Sequence, residues 1–473
     1  MKFTLRNLGR LREATIDLDK DLILLTGPNN TSKTYVAHAL YGLGEESFEI
    51  SAHAVGRALE AFVPDRQEAK ESLKIDVVEF FELYLPQMLD DYARVFRGEL
   101  ADVLASSEEF VAQAEVKLEL GEEQLVWLRQ ALVNREDDNT IQQLGLTVKK
   151  AAGERVWTFE RLPSASAVMD ASGSSPPRRS GSKLFAYAYA TIIGIFMDMV
   201  LKSLVHMHVL TAERAAIQLF SRELSLKRTE LVDEMLKLKK SPRVDVGHAI
   251  GEMLEQRARR YPLAIRNSLL GANAITGYKV ESSSFAPLAD LLEHKLLGGS
   301  IRVDEDGEMQ FYPAESDTRL SLHMASSSVK SLAGLSFYLR NIADKGQFLI
   351  IDEPEMNLHP DNQRRVARVL ARLVRSGVKV LISTHSDYII RELNNLIMLS
   401  ADKDGSVRQR LKYDEAETLS PSQVGAYLFD PERANPIEVT PTGIEVATID
   451  REINALNTAS QDIFFSLFGN TGT

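Results

Sequence analysis

The amino-acid sequence predicts an α/β fold with a mainly parallel sheet. Three largely apolar runs, at 22–25, 348–351 and 378–382, have the composition of strands that are buried on both faces. Each run leads into a polar segment and then into apolar positions at helical spacing, as strands of an α/β layer do. Because one run lies near the start of the chain and two lie far along it, a long helical insertion is expected to split the sheet.

The other elements follow in order along the chain. Alternating residues near Glu115, Gly145 and Arg155 predict antiparallel strands, and Gly307 marks a hairpin turn. The uncharged run 184–197 is shorter than the roughly 18 residues of a membrane span, so it predicts a buried helix and no membrane partner. The predicted segments are an N-terminal part of the core (1–44), a helical insertion (45–112), antiparallel lobe strands (113–162), a flexible linker (163–183), a helical insertion with a coiled-coil-like arm at 223–240 (184–275), an antiparallel lobe hairpin (276–320), the C-terminal part of the core (321–400) and a C-terminal cap (401–473).

Composition and charge exclude several classes of protein. With 473 residues, 44% of them hydrophobic, the chain can bury a sizeable core. A formal net charge of −12 excludes a basic coat or histone-like protein and restricts any nucleic-acid contact to a local patch. The absence of cysteine excludes a disulfide framework, thiol catalysis and cysteine-ligated metals, and with no visible export signal it favours a cytoplasmic protein.

The first candidate site is a phosphate-binding loop between the first apolar run and the helix after it. Its residues are Gly27, Pro28, Asn29, Asn30, Thr31, Ser32, Lys33 and Thr34. In such a loop, main-chain N–H groups hold the phosphates of ATP, Lys33 would reach the β- and γ-phosphates, and the Thr34 hydroxyl would ligate Mg²⁺. Ser32 replaces the usual glycine before the lysine, which matters if that position needs a positive φ. An ordinary strand-to-helix turn is the alternative interpretation.

Polar residues also follow the two later apolar runs. Asp352 and Glu353 end the run at 348–351, where the carboxyl end of a parallel strand faces the ligand crevice. We expect Asp352 to hold Mg²⁺ and Glu353 to polarise the attacking water as the catalytic base. His385 follows the next strand, and we expect it to contact the γ-phosphate or that water.

Three serines begin a predicted helix and complete a recognisable order of motifs. Ser326, Ser327 and Ser328 are by themselves a good helix N-cap signal. The order of phosphate loop, long insertion, serine-rich helix start, Asp-Glu-Pro and Thr-His resembles ABC-type ATPases of the SMC, Rad50, RecF and OLD group. The resemblance implies an ABC-type ATPase head with an antiparallel lobe, in which these serines reach the γ-phosphate bound by the other subunit of a dimer. Ser327 and Ser328 stand where the group has glycines, and its magnesium-sensing glutamine has no evident counterpart here.

A narrower similarity concerns the segments 210–214, 260–266 and 443–449. They look like stand-alone AAA-family ATPase subunits of bacterial anti-phage systems, of the PARIS or Septu kind. This resemblance implies a homo-oligomeric sensor and scaffold that holds a separate TOPRIM or HNH nuclease effector in check until a phage protein or nucleic acid triggers it. Asp402 and Asp404 lie in a turn without the glutamate strand of TOPRIM chemistry, so no intrinsic nuclease is expected.

Two alternatives remain open on the sequence. One is a DNA-repair ATPase of the RecF or SMC kind that binds DNA directly; the other is a nucleotide-dependent module without meaningful hydrolysis. Arginines in the insertion could face a nucleic-acid backbone or a DNA-mimicking trigger, or they could be solvated or salt-bridged on a helix. A second stripe of arginines is expected to be a solvated helix face, and the aromatic run 464–468 is expected in the core or in a subunit contact. The arginines are Arg257, Arg259, Arg260 and Arg266 in the insertion and Arg364, Arg365, Arg368, Arg372 and Arg375 in the stripe.

Overall fold

The computed structural model describes residues 1–63, 72–141, 145–161, 181–220, 260–273, 282–305, 307–316 and 318–468. The predicted linker falls mostly outside these residues, and the predicted coiled-coil-like stretch at 223–240 does so entirely. The strands are β1 (Lys2–Leu8), β2 (Leu11–Asp17), β3 (Leu22–Thr26), β4 (Ser72–Asp76), β5 (Glu115–Glu119), β6 (Asp137–Ile141), β7 (Leu146–Lys150), β8 (Val156–Arg161), β9 (Met207–Leu210), β10 (Gly299–Val303), β11 (Met309–Pro313), β12 (Leu320–Ser321), β13 (Phe348–Asp352), β14 (Lys379–Ser383), β15 (Val424–Phe429), β16 (Arg433–Ile437), β17 (Val439–Thr440) and β18 (Gly443–Ile444).

Helices surround these strands. They are α1 (Lys33–Glu45), α2 (Ser47–Phe62), α3 (Val77–Leu104), α4 (Glu108–Val111), α5 (Glu122–Asn134), α6 (Gly181–Ile195), α7 (Leu263–Asn273), α8 (Ala286–Leu292), α9 (Ser327–Asn341), α10 (Pro360–Arg375), α11 (Asp387–Met398), α12 (Ser406–Leu411) and α13 (Ala447–Phe468). Several begin where the sequence supplies a cap: the Ser386 hydroxyl accepts the Ile389 N–H at 3.1 Å, and Pro360 occupies the first turn of α10.

A nine-stranded sheet forms the centre of the fold, which confirms the α/β class. Its order is β5-β1-β2-β16-β15-β3-β14-β13-β9, and the strands from β15 to β9 run parallel to one another. Both faces are covered: Ile23 and Leu25 of β3 pack into one hydrophobic core, and Leu22 and Leu24 pack into the other. This explains why the run is continuously apolar.

Smaller antiparallel sheets lie beside the main sheet. One has the order β4-β8-β7-β6 and buries Trp157, and the predicted hairpin is present as β10 and β11. The strand near Glu115 is present as β5, which joins the main sheet beside β1. Strand β4 and helix α5 were not expected in the segments where they occur.

Four described strands of the main sheet lie outside the predicted halves of the core: β5, β9, β15 and β16. Strand β9 falls in the segment predicted to be helical, and β15 falls in the predicted C-terminal cap. Strand β9 pairs with β13 at one edge, and β15 pairs with β3 at the centre of the sheet. A four-residue segment such as β9 is too short to show a period that separates strand from helix. The pairing of β15 depends on a partner at the other end of the chain.

The apolar run at 184–197 forms helix α6, as predicted. Leu184, Ala188, Ile192 and Ile195 are buried, and the Tyr189 hydroxyl donates to the Ala52 carbonyl at 2.6 Å. Within the described part of the chain, every helix is too short or too polar to span a lipid bilayer.

Candidate nucleotide-binding site

The carboxyl ends of four adjacent parallel strands bring the predicted residues together. Strands β3, β14, β13 and β9 end at one edge of the sheet. The phosphate loop leaves β3, His385 follows β14, and Asp352 ends β13. Arg214 follows β9 at the same edge. This is the position at which open α/β sheets bind ligands.

Within the phosphate loop, Lys33 folds back onto the loop's own oxygen atoms. Its Nζ donates to the carbonyl of Pro28 at 2.7 Å, to that of Gly27 at 3.1 Å and to the Thr31 hydroxyl at 3.2 Å. Burial lowers the pKa of Lys33 to about 8. The side chain of Ser32, the N-cap residue of α1, makes no capping hydrogen bond, so it does not compete with a phosphate for the N–H groups of the first turn. The residues present therefore fit the phosphates of a nucleotide.

Gly27 has to be glycine because the main chain of β15 passes against it. Its φ is 132°, and a Cβ at this position would lie 2.2 Å from the carbonyl oxygen of Phe429. A side chain would have to displace that strand or the loop. Strand β15, which falls in the predicted C-terminal cap, thus constrains the main-chain path of the phosphate loop.

Asp352 connects the loop to the neighbouring strand. The Thr34 hydroxyl donates to Asp352 Oδ2 at 3.0 Å, and the Ser383 hydroxyl donates to Asp352 Oδ1. A hydroxyl and a carboxylate oxygen side by side are hard oxygen ligands of the kind that Mg²⁺ prefers. These residues fit a magnesium ion, and Ser383 orients the carboxylate.

Glu353 has an unusual backbone conformation and a perturbed carboxyl group. Its φ is 48°, in the left-handed region that a glutamate rarely adopts, and its N–H donates to the Ser383 carbonyl at 2.9 Å. Partial burial, followed by the charges of Asp352 and Glu355, raises the pKa of the Glu353 carboxyl. A raised pKa in a cleft is the property expected of a general base.

His385 lies next to this carboxylate. Its Nε2 is 3.9 Å from Glu353 Oε1, its main-chain N–H donates to Glu355 Oε1 at 2.7 Å, and its ring hydrogen-bonds the main chain of Gly27. Burial and the nearby Lys33 ammonium lower the pKa of His385, so the ring is mostly neutral at pH 7. The predicted lysine, acids and histidine therefore share one site.

Of the three serines, Ser328 contacts the segment that follows Glu353. The Ser326 hydroxyl accepts the Val329 N–H at 3.4 Å as the N-cap of α9, and the Ser328 hydroxyl donates to the Asn357 carbonyl at 3.1 Å. Ser326 and Ser327 are exposed. The structure leaves them at the surface, available to a second molecule.

Sequence reasoning missed the role of Arg214. Its guanidinium is buried and donates to three main-chain carbonyls around the site, those of Ser331, Asp352 and Glu353. In the sequence, Arg214 stood out only as part of the resemblance carried by residues 210–214. The available signal was its place four residues after Leu210, which ends β9.

Five arginines of the two clusters form ion pairs, whereas Arg260 and Arg375 are exposed and have no ion-pair partner among the described residues. Arg257 and Arg259 lie outside the described residues, and Arg266 donates to Asp102 Oδ2 at 2.7 Å. On α10 the expected solvated stripe instead ties the helix to neighbouring segments. The pairs are Arg364 with Glu392, Arg365 with Asp361, and Arg368 and Arg372 with Glu417.

The loop position occupied by Ser32 does require a positive φ. Ser32 has a φ of 70°. For Ser32→Gly we expect the free energy of unfolding to rise by about 0.5–1 kcal/mol, because the left-handed region costs a non-glycine residue about 1–2 kcal/mol and glycine loses about 0.5–1 kcal/mol more backbone entropy. Ser107→Gly is the matched control: Ser107 is an N-cap with a φ of −72°, so the same change should lower the free energy by a few tenths of a kcal/mol. Urea titration measures both, and a destabilised Ser32→Gly contradicts the argument.

Comparison with known proteins gives one family match and two short alignments. Residues 252–390 match a family model described as an AAA ATPase domain. The Old nuclease of Escherichia phage P2 is 34% identical over 73 residues, 15% of this chain and 12% of that protein. The UvrABC system protein A of Halalkalibacterium halodurans is 33% identical over 82 residues, 17% of this chain and 9% of that protein. The chain spans about a tenth of the length of these curated relatives.

Solved SMC heads align along most of the chain at low similarity. The SmcHead bound to the C-winged helix domain of ScpA aligns with a TM-score of 0.32 and 10% identity, over 92% of this chain and 96% of that chain. The SMC head domain from Thermotoga maritima aligns with a TM-score of 0.31 and 12% identity, over 93% and 98%. TM-scores of this size add nothing to the fold assignment, which rests on the strand order. Residues 252–390 are therefore similar to an AAA ATPase domain, and this part of the chain carries the serine-bearing helix α9 and the site residues Asp352, Glu353 and His385.

Proposed function

We propose that this protein is a Mg²⁺-dependent ABC-type ATPase that binds ATP between two copies of itself. The contact between the Thr34 hydroxyl and Asp352, with Lys33 in the same loop, carries the proposal. It joins a phosphate loop to an acid at the end of a neighbouring strand, which is the arrangement that phosphoryl transfer from ATP requires. Steady-state phosphate release with ATP and Mg²⁺, compared with the same mixture in EDTA, tests it: release that persists in EDTA, or none at all, would reject it.

Each residue has a distinct task in this proposal. Lys33 exchanges the loop carbonyls for the β- and γ-phosphate oxygens, and Thr34 and Asp352 hold the ion. When bound, Mg²⁺ neutralises the charge that develops on the phosphates. Glu353 orients and deprotonates the attacking water, and His385 contacts the γ-phosphate or that water.

The nucleoside is proposed to lie in a cavity whose lining residue Phe110 contacts Tyr35, the residue after the phosphate loop. It has a volume of about 780 Å³ and is lined in part by Gly9, Arg10, Phe110 and Pro431. The Phe110 ring lies 5.6 Å from that of Tyr35, which directly follows Thr34 in sequence. An exposed aromatic edge next to the loop suits a stacked base.

Two surfaces support association of copies. The exposed serines at the start of α9 would complete the site of a second subunit. The end of α13 exposes Ile463, Phe464, Phe465 and Phe468, each by more than half of its surface, and the predicted core position of this aromatic run is therefore not observed within the chain. The subunit contact, which was the other expectation, remains part of the proposal.

The proposed biological role is that of a sensor and scaffold in a bacterial anti-phage complex, with nuclease activity in a separate TOPRIM or HNH partner. Asp402 and Asp404 bear on this point. Asp402 Oδ2 accepts the Arg408 N–H at 2.8 Å and Asp404 Oδ1 accepts the Ser406 N–H at 3.1 Å, so both carboxylates act in local turns. A phage protein or nucleic acid would act as the trigger. Co-purification of the chain with the product of a neighbouring nuclease gene tests the pairing.

The alternative role, a DNA-repair ATPase, predicts a different salt dependence. A clamp that makes 6–10 phosphate contacts gives a slope of log K against log salt of about −5 to −9. Because five of the described cluster arginines are paired with acids and the chain is acidic, we expect a slope shallower than about −2 for duplex DNA with ATP. Fluorescence anisotropy at several salt concentrations measures it, and a steep slope favours the clamp.

A further inference from the structure

Arg214 lies where three segments of the site meet: the turn after β9, helix α9 and the end of β13. Arg214 is 4% exposed, and within the described residues its guanidinium donates its hydrogen bonds to main-chain carbonyls. Nε donates to Ser331 O at 3.0 Å, Nη1 donates to Asp352 O at 2.7 Å and Thr211 O at 3.2 Å, and Nη2 donates to Glu353 O at 2.7 Å. The fixed fork of the guanidinium can serve all of these acceptors at once, which an ammonium cannot do.

These contacts bear on the conformation of Glu353. A glutamate keeps a backbone conformation in the left-handed region only when contacts with the surrounding structure hold it there. Ser383 O accepts the Glu353 N–H, and Arg214 donates to the carbonyl of the same residue, so both of its peptide groups are held. Without the guanidinium, the carbonyls of Asp352 and Glu353 would lose their buried charged donor, and the backbone would relax toward an ordinary φ.

The same guanidinium also contacts the helix that carries the exposed serines. Ser331 belongs to the first turns of α9, and its hydroxyl accepts from Asn357 Nδ2 at 3.0 Å. The Asn357 carbonyl in turn accepts from the Ser328 hydroxyl. Thus Arg214 and Asn357 connect the serine-bearing end of α9 with the end of β13.

We propose that Arg214 is a positioning residue that holds the Glu353 carboxylate where it can activate the attacking water and that couples it to the start of α9. The inference rests on the proposed ATPase function. When a second copy brings nucleotide against the serines, a shift of α9 is transmitted through Arg214 to Glu353, so that each site responds to the other. ATP hydrolysis is then cooperative in ATP, and the cooperativity depends on this side chain.

Substitution of Arg214 tests the proposal on the full-length protein. For Arg214→Lys we expect kcat to fall roughly 10- to 100-fold, because a displacement of about 1 Å at the reacting groups has an effect of this size. Nucleotide affinity, measured with a fluorescent ATP analogue, should change by less than about threefold, since Lys33 and Thr34 are untouched. The Hill coefficient of hydrolysis should fall to 1.

Arg340→Lys is the matched control for a merely structural effect. Arg340 lies in the last turn of the same helix and pairs with Asp290 and the buried Glu293, far along α9 from the site. If both lysine variants lose similar amounts of thermal stability but only Arg214→Lys loses kcat, the proposal stands. Equal kcat in Arg214→Lys and wild type, or equal losses in both variants, overturns it. Absence of phosphate release from the wild type would instead refute the ATPase function, and the inference with it.

Discussion

Replacement of Lys33 by alanine is expected to abolish productive ATP binding. The ammonium group is the buried cation of the loop, held by the carbonyls of Gly27 and Pro28 until phosphates replace them. Loss of a charged donor to a phosphate costs about 3 kcal/mol, so we expect affinity for a fluorescent ATP analogue to fall roughly 100-fold or more. Hydrolysis should fall below detection.

The matched control for this change is Lys345→Ala. Lys345 is an exposed lysine in the turn before β13, so its removal should leave nucleotide affinity unchanged. If Lys33→Ala binds the analogue as tightly as the wild type does, the phosphate loop has been assigned to the wrong residues.

Glu353→Gln is expected to separate binding from hydrolysis. The carboxamide keeps the shape of the side chain but cannot take a proton from water, so phosphate release should fall about 10²- to 10⁴-fold. ATP affinity should be retained, because the loop is intact and one negative charge near the phosphates is removed. An ATP-bound assembly should therefore accumulate and appear as a larger species in light scattering.

Glu445→Gln, a change at an exposed glutamate outside the site, is the control and should hydrolyse ATP at the wild-type rate. Wild-type turnover in Glu353→Gln would show that another group activates the water. Retained binding and lost turnover, but no larger assembly with ATP, would argue against the sandwich of two copies.

Much of the candidate site could be predicted from local sequence. Continuous apolar runs marked β3, β13 and β14, and the residues directly after each run were those that the structure gathers at one edge of the sheet. This works because parallel strands share the direction in which they end. The sequence also showed that Ser32 replaces the glycine usual before the lysine, but only the structure showed that this residue has a positive φ.

Other features depended on pairing between distant parts of the chain. Strand β9 is too short to be recognised from its sequence pattern, and it is defined by its pairing with β13. Strand β15 belongs to the sheet because it pairs with β3, which lies near the start of the chain. Gly27 is constrained by Phe429, and Arg214 gains its role from carbonyls that lie on two other elements.

By itself, the sequence determined which side chains are available for nucleotide chemistry and that they would lie at the same edge of a parallel sheet, since both follow from the local pattern of apolar and polar residues. Only the tertiary structure decided which strands complete the sheet, how Glu353 is held in its left-handed conformation, and which buried cation connects it to the serine-bearing helix. Main-chain hydrogen bonds between remote segments set these features, and such bonds leave no periodic pattern in sequence.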